Sequence, residues 1–373
     1  MSSFLESILL PSTVETGLAR RILPHIAYNG TDISDDMAKY LASISYTDEL
    51  SGSADDLQLS LEDKDNLWLE PWFPEKGATL DMVLESRYWN NANDGPQVVS
   101  FGTFEIDELE CSSMPTVVQI KAVSVPDNTK LRGSERSKSW EKVTIRKVAE
   151  DIATEAEMEL FWDSTDTTVH DRIEQTEQSD LEFLQKLCDD NSLALKISAK
   201  KIVIFDEIKY EQTEPVINLV KDESLLTDAQ KKAADGTVIP TYKLQQWRFR
   251  SAVRDVYKAC RVEYQNEDSK EKLSYTFVAP DKKVGKTLVV NQQVKSQDEA
   301  EKLAKNELRK KNAEEVSGSV TMRGQLTLAA GLTVNVVGFG KFDGKYLITR
   351  VQHAIGSSGY TCSVDLRRCL TGY

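Results

Sequence analysis

The sequence predicts an α+β protein that is mainly β, with two antiparallel β-barrels and an inserted α/β domain. Three observations support this fold class. Apolar and polar residues alternate over residues 30–124 and again over 251–373, which is the period-two pattern of half-buried strands. Apolar residues follow helical spacing in parts of residues 125–210. The two strand-rich regions also align with each other.

The composition is that of an ordinary globular chain. Its 373 residues are 40% hydrophobic and 28% charged, which fits two or three domains. No apolar run approaches the roughly 20 residues of a membrane-spanning helix, and the N-terminus lacks the features of a secretory signal. The formal net charge of −14 repels phosphate. We therefore expect assembly in a cytoplasm, no direct membrane insertion and no specific nucleic-acid binding.

The first strand-rich region follows an arm. Residues 1–29 are predicted to form an N-terminal arm with one helical turn around residues 18–23, which Pro24 would end. Residues 30–124 then contain five or six short strands with the spacing of a small barrel or sandwich. We expect them to form the first β-barrel.

The insert is predicted to contain two helices and a hairpin. Apolar residues follow helical spacing from about residue 139 to 159. A second helix should begin at Ser179, because Glu182 three residues later completes a capping box. Two apolar runs, residues 193–197 and 202–205, should pair as a hairpin.

The remainder is predicted to be a linker and a second barrel. Residues 211–250 are a polar connecting segment with a short helical piece at residues 223–234. Residues 251–373 contain further strands and one strong helix, which begins at the capping box of Ser296 and Glu299.

The most informative feature is an internal repeat. Three pairs of segments align in order: residues 77–84 with 331–338, 102–110 with 344–352, and 118–122 with 362–366. The offset falls from 254 (331 minus 77) to 242 (344 minus 102), which a longer loop in the first copy explains. A looser echo relates residues 40–46 to 257–264. The alternative is that any two amphipathic antiparallel sheets align this well. A real repeat would let three chains present six similar barrels around one axis.

Several segments resemble a known family. Residues 32–35, 46–48, 54–63, 67–69 and 72–80 resemble the N-terminal region of the phage late control D family. The segment 175–187 resembles the Ser-Asp-x-x-Phe-Leu-x-x-Leu motif of that family and of VgrG proteins. The resemblance covers most of the chain, best between residues 30 and 210, and none of its motifs is catalytic.

The resemblance implies a baseplate hub of a contractile phage tail or a phage-tail-like particle, such as a tailocin or an injection system. It implies two tail-tube-like barrels per chain, assembled as a homotrimer into a pseudo-hexameric ring. This ring would join the hexameric tail tube protein to a trimeric central spike protein, next to other baseplate and tape-measure proteins of the virion or released particle. Because the sequence ends soon after the second barrel, we expect the spike on a separate polypeptide.

Other kinds of site receive little support. Residues 284–287, Val-Gly-Lys-Thr, lack the first glycine of a phosphate-binding loop, since Pro280 stands there. A metal site could be assembled from Asp163, Asp166, His170 and Asp171, but their spacing matches no standard ligand set. A polar loop is the simpler interpretation, and we expect neither a metal nor a cofactor.

The alternative function is a peptidoglycan-cleaving enzyme of the tail tip. Its carboxylates could come from Asp55 and Asp56 or from Glu314 and Glu315. Adjacent residues on a strand point to opposite faces, so these pairs are poor candidates for convergent acids. No Gly-x-Ser-x-Gly motif is present either. We therefore expect no catalytic residues.

Cysteines and one aromatic cluster complete the candidates. The five cysteines include no Cys-x-x-Cys pair, and three lie in apolar patterns typical of buried free thiols. Trp68, Trp72 and Phe73 lie in a proline-flanked loop. The loop could form a subunit or partner contact, or it could pack over its own barrel.

Overall fold

A computed structural model describes residues 19–373, except 76, 92, 114, 125–130, 132–134, 199–200, 253, 255, 266–271, 281, 283, 293 and 295. Most of the predicted arm and the predicted start of the insert therefore lie outside the described residues. Strands make up 50% of the described residues and helices 17%, which confirms the mainly β prediction. Among the helices of the described part, none has the length and apolar character needed to cross a membrane.

The strands of the first half are β1 (Arg21–Tyr28), β2 (Thr31–Asp32), β3 (Leu41–Glu49), β4 (Asp56–Glu62), β5 (Thr79–Arg87), β6 (Gln97–Ser112), β7 (Val117–Val123), β8 (Arg136–Thr144), β9 (Glu159–Asp163), β10 (Val169–Gln178), β11 (Leu193–Ser198) and β12 (Lys201–Asp206). Those of the second half are β13 (Ile217–Val220), β14 (Thr241–Lys243), β15 (Gln246–Ser251), β16 (Tyr257–Gln265), β17 (Lys272–Val278), β18 (Lys286–Val290), β19 (Val316–Arg323), β20 (Thr333–Val337), β21 (Gly344–Gly356) and β22 (Gly359–Arg368). The helices are α1 (Ser34–Met37), α2 (Ile145–Glu155), α3 (Asp180–Asp190), α4 (Glu207–Gln212) and α5 (Gln297–Asn312), with 3-10 turns at Glu223–Leu225 and Gly340–Phe342.

Two sets of six strands have the same order in the main sheet. The first copy runs β3-β4-β7-β6-β5-β1, and the second copy runs β15-β19-β22-β21-β20-β13. The registers also agree, since Thr79 pairs with Glu105 as Thr333 pairs with Leu347. These positions differ by the predicted offsets of 254 and 242. The internal repeat is therefore confirmed for five strands of each copy. The sixth strands differ, because β1 runs antiparallel to β5 whereas β13 runs parallel to β20.

A shared irregularity supports the same conclusion. The pairing of β6 with β7 shifts between Ile106 and Glu108, and the pairing of β21 with β22 shifts between Ile348 and Arg350. Both shifts lie at equivalent positions of the two copies. A β-bulge bends its strand and increases the local twist, so the two copies bend at the same point.

The looser echo between residues 40–46 and 257–264 is wrong. The counterpart of β3 is β15. Strand β3 pairs with β4, which pairs with β7, and β15 pairs with β19, which pairs with the counterpart of β7, β22. Strands β16, β17 and β18 form a separate three-stranded sheet that packs against α5 around its own apolar core. Period-two alternation identifies a strand but not its partners, which explains the error.

The structure also differs from the predicted division into two separate barrels. Strand β3 of the first copy pairs directly with β21 of the second copy, so both copies belong to one 14-stranded sheet with a shared core. Within the described residues the strand pairings follow an open path. Strands β13 and β14, and all but the last residue of β15, lie in the predicted connecting segment 211–250, and all three strands join this sheet. The helical piece predicted at residues 223–234 is reduced to the turn Glu223–Leu225.

The N-terminal helical turn is also wrong, because Arg21–Tyr28 is a strand that pairs along its length with β5. On its other edge, β1 pairs with β2 only at Ala27 and Tyr28. Pro24 therefore lies beside an open edge, where its missing N–H does not interrupt the hydrogen bonds between strands.

The insert has the predicted helix–helix–hairpin content. Helix α3 begins at Ser179, whose hydroxyl accepts the Glu182 N–H at 3.2 Å while the Glu182 carboxylate accepts the Ser179 N–H at 3.1 Å. Strands β11 and β12 form the predicted hairpin. The first helix is shorter than predicted, because residues before Ile145 form strand β8. Both helices contribute to a separate apolar core.

Candidate assembly surfaces and the buried contacts behind them

The aromatic loop between β4 and β5 is held by a buried carboxylate. Asp63 accepts the backbone N–H groups of Leu67 at 2.9 Å and of Trp68 at 3.1 Å. These bonds satisfy two backbone amides that would otherwise lack a hydrogen-bond partner inside the loop. They also direct the Trp68 ring into the shared core, where it is 5% exposed.

The other two aromatic residues remain at the surface. Trp72 packs edge-on against Trp68, with ring centroids 5.6 Å apart, and against Tyr40 at 5.9 Å. Trp72 is 37% exposed and Phe73 is 52% exposed. A cavity of about 390 Å³ lies beneath the loop and is lined mainly by apolar side chains. Packing over its own sheet thus accounts for Trp68, whereas contact with a subunit or partner stays a prediction for Trp72 and Phe73.

A buried charge cluster joins the insert to the first copy. Lys196 on β11 forms an ion pair with Asp48 and donates to Asp55 at 3.2 Å and to the Glu49 carbonyl at 3.0 Å. The second carboxylate oxygen of Asp48 accepts the N–H of Ala330, which lies in the second copy, at 2.8 Å. Burial raises the pKa of Asp55 to about 6, although the Lys196 ammonium opposes the rise. The cluster therefore links the insert with both copies.

A second cluster joins the insert to the second copy and to the small sheet. Glu211 on α4 receives a bidentate contact from Arg309 on α5, at 2.9 and 3.0 Å. Arg367 on β22 pairs with the same carboxylate and donates to Glu207 at 2.7 Å. Burial would raise the pKa of Glu211, but the two guanidinium groups lower it overall. Planar bidentate geometry of this kind fixes orientation as well as charge.

A buried histidine lies where the two copies meet. His353 on β21 is opposite Tyr46 on β3, and its ring is 5.0 Å from that of Phe101. Its Nδ1 is 2.7 Å from the Tyr360 hydroxyl and its Nε2 is 3.2 Å from the Leu328 carbonyl oxygen. Burial lowers the pKa of His353 to about 4. The neutral imidazole thus serves as a packed, hydrogen-bonded part of the junction.

Three free cysteines are buried, as predicted. They are Cys188, Cys260 and Cys362, and burial raises their pKa values to about 12, 11 and 11, which disfavours the reactive thiolate. Cys369 is partly buried, and Cys111 on β6 is exposed.

The candidate metal ligands are engaged in other contacts. Asp163 pairs with Lys209 and accepts the Tyr210 hydroxyl at 3.2 Å. Asp166 accepts the Thr168 N–H at 3.0 Å and lies 3.3 Å from the Lys302 ammonium. Within the part of the chain that the structure describes, no three His, Cys, Asp or Glu side chains come together as a metal site.

One member of each carboxylate pair considered for catalysis forms an ion pair elsewhere. Asp55 is buried in the Lys196 cluster, whereas Asp56 begins β4, and Glu315 pairs with Lys282. The phosphate-loop-like segment leads from Gly285 directly into strand β18 rather than into a helix. That arrangement provides no helix N-terminus for a phosphate.

Two exposed strand edges were missed by the sequence reasoning. Strand β15 pairs with β19 along one edge, and Trp247 on it is 50% exposed. The end of β6, beyond Ile106, pairs with β7 along one edge and is exposed on its other side. The signal for β15 was available, because Trp247 and Phe249 alternate with Arg248 and Arg250. Its short length and polar surroundings concealed it.

The model of the family described as "Phage tail baseplate hub (GPD)" matches residues 119–359, well over half of the chain. The chain belongs to this family. The resemblance to late control D proteins is thereby confirmed.

Relatives of the hub family agree in sequence and in fold. The probable baseplate hub protein of Escherichia phage 186 is 28% identical over 192 residues, which are 51% of this chain and 46% of that protein. The matched stretch thus spans about half the length of this curated relative. The 43 kDa tail protein of prophage MuSo2 from Shewanella oneidensis shares the fold with a TM-score of 0.68 at 13% identity, over 93% of this chain and 98% of that one.

The fold extends to secretion systems. An E. coli component of the type VI secretion system has a TM-score of 0.53 at 11% identity, over 90% of this chain and 75% of that one. At such identities the likeness concerns the fold alone. The architecture is therefore that of phage tail and VgrG-like proteins.

Proposed function

We propose that this hub-family protein is a homotrimeric structural hub of the baseplate of a contractile phage tail or a phage-tail-like particle. Its ring joins the hexameric tail tube to the trimeric central spike, next to other baseplate proteins. The protein is assembled in the bacterial cytoplasm and ends in the virion or the released particle. Membership of the baseplate hub family supports this role.

The observation that carries the proposal is the duplicated strand order, with matching registers in five of the six strands of each unit. Three chains contain six such units, so a ring of three chains presents six similar surfaces toward a sixfold tube. The inserts occur once per chain, so any ring surface that they form has only threefold symmetry. Closed cyclic assembly is the usual way in which identical chains bury such surfaces.

Buried charges support a mechanical role rather than a chemical one. The Lys196 and Glu211 clusters fix the insert to both copies, so the chain transmits force as one body. One carboxylate of each pair considered for the alternative, a peptidoglycan-cleaving enzyme, lies in an ion pair, namely Asp55 with Lys196 and Glu315 with Lys282. We therefore propose that the hub has no catalytic residues. A zymogram on peptidoglycan should show no clearing, and a cleared band would overturn this part of the proposal.

The decisive measurement is the native mass, determined by light scattering on the protein alone and after co-expression with tail tube and central spike proteins. We expect a species near three times 41.9 kDa, which binds tube or spike protein. A chain that stays monomeric in both conditions, and retains neither partner, would contradict the hub.

A further inference from the structure

The junction between the two copies shows how one six-strand unit binds the next. Strand β3 pairs antiparallel with β21, with Glu49 opposite Arg350 and Ile44 opposite Ile355. Across this junction, Arg350 and Glu49 form an ion pair at 3.0 Å, and Gln352 donates to Ser45 at 2.9 Å. The contact thus combines backbone pairing with polar side-chain contacts on one face.

The counterparts of these two strands form no such junction within the chain. The counterpart of β21 is β6, which pairs with β5 only up to Glu105 and leaves residues 108–112 open on that edge. The counterpart of β3 is β15, whose edge away from β19 is exposed. Among the described residues, therefore, the edges of β6 and β15 that correspond to the two edges of the internal junction are both unpaired. Open edges of this kind are templates for pairing with another chain.

The registers determine how the two open edges would align. Positions of β6 lie 242 residues before those of β21. In the first copy Tyr46 of β3 pairs with Leu57, and in the second copy Phe249 of β15 occupies the equivalent position and pairs with Gly318. Positions of β15 therefore lie 203 residues after their counterparts in β3 (249 minus 46). In the internal junction Gln352 is opposite Thr47. The equivalent pair is Glu110 opposite Arg250.

We propose that β15 of one chain pairs antiparallel with residues 108–112 of β6 in a second copy of this chain, with Arg250 opposite Glu110. The inference rests on the proposed trimer and names the surfaces that close it. Arg248 then lies opposite Ser112, diagonal to Glu110, where the internal junction has the hydrogen bond from Gln352 to Ser45.

Charge complementarity supports this occupant. The open end of β6 has the sequence Asp-Glu-Leu-Glu over residues 107–110, and β15 carries Arg248 and Arg250. Opposite charges on directly opposed or diagonal positions stabilise a strand pair, and like charges destabilise it. A second copy is the partner because the basic edge and the acidic edge belong to the same chain.

The two edges are different surfaces, so the contact is head-to-tail. Such contacts either close into a ring or continue into a fibre. The internal junction repeats the same geometry between the two copies, so closure requires the rotation that already relates them. Each closed contact would remove two exposed edges from solvent.

A charge-reversal series tests the pairing. Arg250→Glu and Glu110→Arg should each weaken the trimer by at least about tenfold in dissociation constant, since each opposes like charges. The double variant Glu110→Arg/Arg250→Glu should restore assembly toward the wild-type level. Lys232→Glu makes the same charge change at an exposed position outside both edges and should have no effect. Analytical ultracentrifugation measures all four.

Disulfide trapping tests the register. Directly opposed residues of antiparallel strands are about 4.5–5.5 Å apart, within the range for a disulfide. In a Cys111→Ser background, Glu110→Cys with Arg250→Cys should give covalent dimers and trimers under oxidation that are lost on reduction. Glu110→Cys with Gln246→Cys is the matched control, because position 246 lies roughly 13 Å further along β15.

The outcomes separate the two proposals. A wild-type trimer that is unaffected by either charge reversal, and that yields no covalent product at positions 110 and 250, would overturn this pairing while leaving the hub role intact. Equal trapping at positions 250 and 246 would overturn the register. A wild-type chain that remains monomeric with tube and spike proteins would overturn the hub role and the pairing together.

Discussion

The two copies of the six-strand unit have the same strand order but differ in the burial of side chains at equivalent positions. In the first copy Ile44 and Tyr46 on β3 are buried against the second copy. In the second copy their counterparts Trp247 and Phe249 are exposed or half-buried. Tyr46 packs against Phe101 and Phe104 of its own copy and against His353 of the second copy. The difference teaches that full burial at these positions needs contacts with a neighbouring unit in addition to those within the unit.

The copies also differ in what they carry. The first copy has the aromatic loop between β4 and β5, and the second copy has the small sheet and α5 between β15 and β19. Both copies bind the insert through buried ion pairs, but the sign of the charge that each copy supplies is opposite. The first copy supplies the carboxylates Asp48 and Asp55, whereas the second copy supplies Arg367. Specific predictions can sharpen or break this comparison.

The largest effect should come from the anchor on the second copy. Glu211→Ala would leave Arg309 and Arg367 buried without their shared carboxylate. We expect the free energy of unfolding to fall by about 3–5 kcal/mol, as for other broken buried ion pairs. Chemical denaturation measures the change.

The matched control removes a carboxylate of an exposed helix pair. Glu150→Ala breaks the i,i+4 contact with Arg146 at 2.9 Å and should change the free energy of unfolding by about 0.5 kcal/mol or less. Equal losses in the two variants would show that the Glu211 cluster is not an anchor of the insert.

The next effect concerns the junction between the copies and depends on pH. The pKa of His353 is about 4 in the folded chain and about 6.5 when unfolded, so the unfolded state binds more protons between these values. The stabilisation is complete above pH 6.5 and is lost as the pH falls toward 4, by up to about 3 kcal/mol.

The variant His353→Gln cannot titrate in this range. Its free energy of unfolding should therefore depend less steeply on pH between 6.5 and 4 than that of the wild type, whatever its stability at neutral pH. Parallel pH profiles of the two proteins would contradict the assignment. The equivalent position of the first copy is the exposed Cys111, so no matching effect is expected there.

The smallest effect on stability should come from the aromatic loop of the first copy. Phe73→Ala removes a ring that is 52% exposed and should change the free energy of unfolding by less than about 1 kcal/mol. If the loop contacts a subunit or partner, the variant should nevertheless assemble poorly with tube and spike proteins in a co-purification assay.

Phe161 in the insert is the matched control, since it is also 52% exposed. Phe161→Ala should have the same small effect on stability and none on assembly. Normal assembly of both Phe73→Ala and Trp72→Ala would remove the interface role from this loop.

Local signals were sufficient to predict many elements. The capping box of Ser179 and Glu182 marks the start of α3 because both hydrogen bonds form within four residues. The aligned segments of the repeat gave correct registers, since Val334 and Leu80 occupy equivalent positions on β20 and β5. Alternation is a property of one strand and can be read along the sequence.

Features that depend on distant residues could not be predicted. Glu211, Arg309 and Arg367 are each separated by dozens of residues, so no spacing indicates that they meet. Trp68 and Trp72 belong to one loop, yet only Trp68 enters the core, because its backbone N–H donates a hydrogen bond to the buried Asp63 carboxylate. Strand β1 was missed since Pro24 normally ends regular structure, and its position on a largely uncovered edge removes that objection.

Because β3 and β21 belong to one polypeptide, their junction forms when the chain folds and does not depend on protein concentration. In the proposed ring, half of the contacts between units would be of this intramolecular kind, and only the other half would require chains to meet. The translational entropy lost on assembly is then that of three bodies rather than six. The fusion also determines the stoichiometry, since an odd number of units cannot be built from chains that each contribute two.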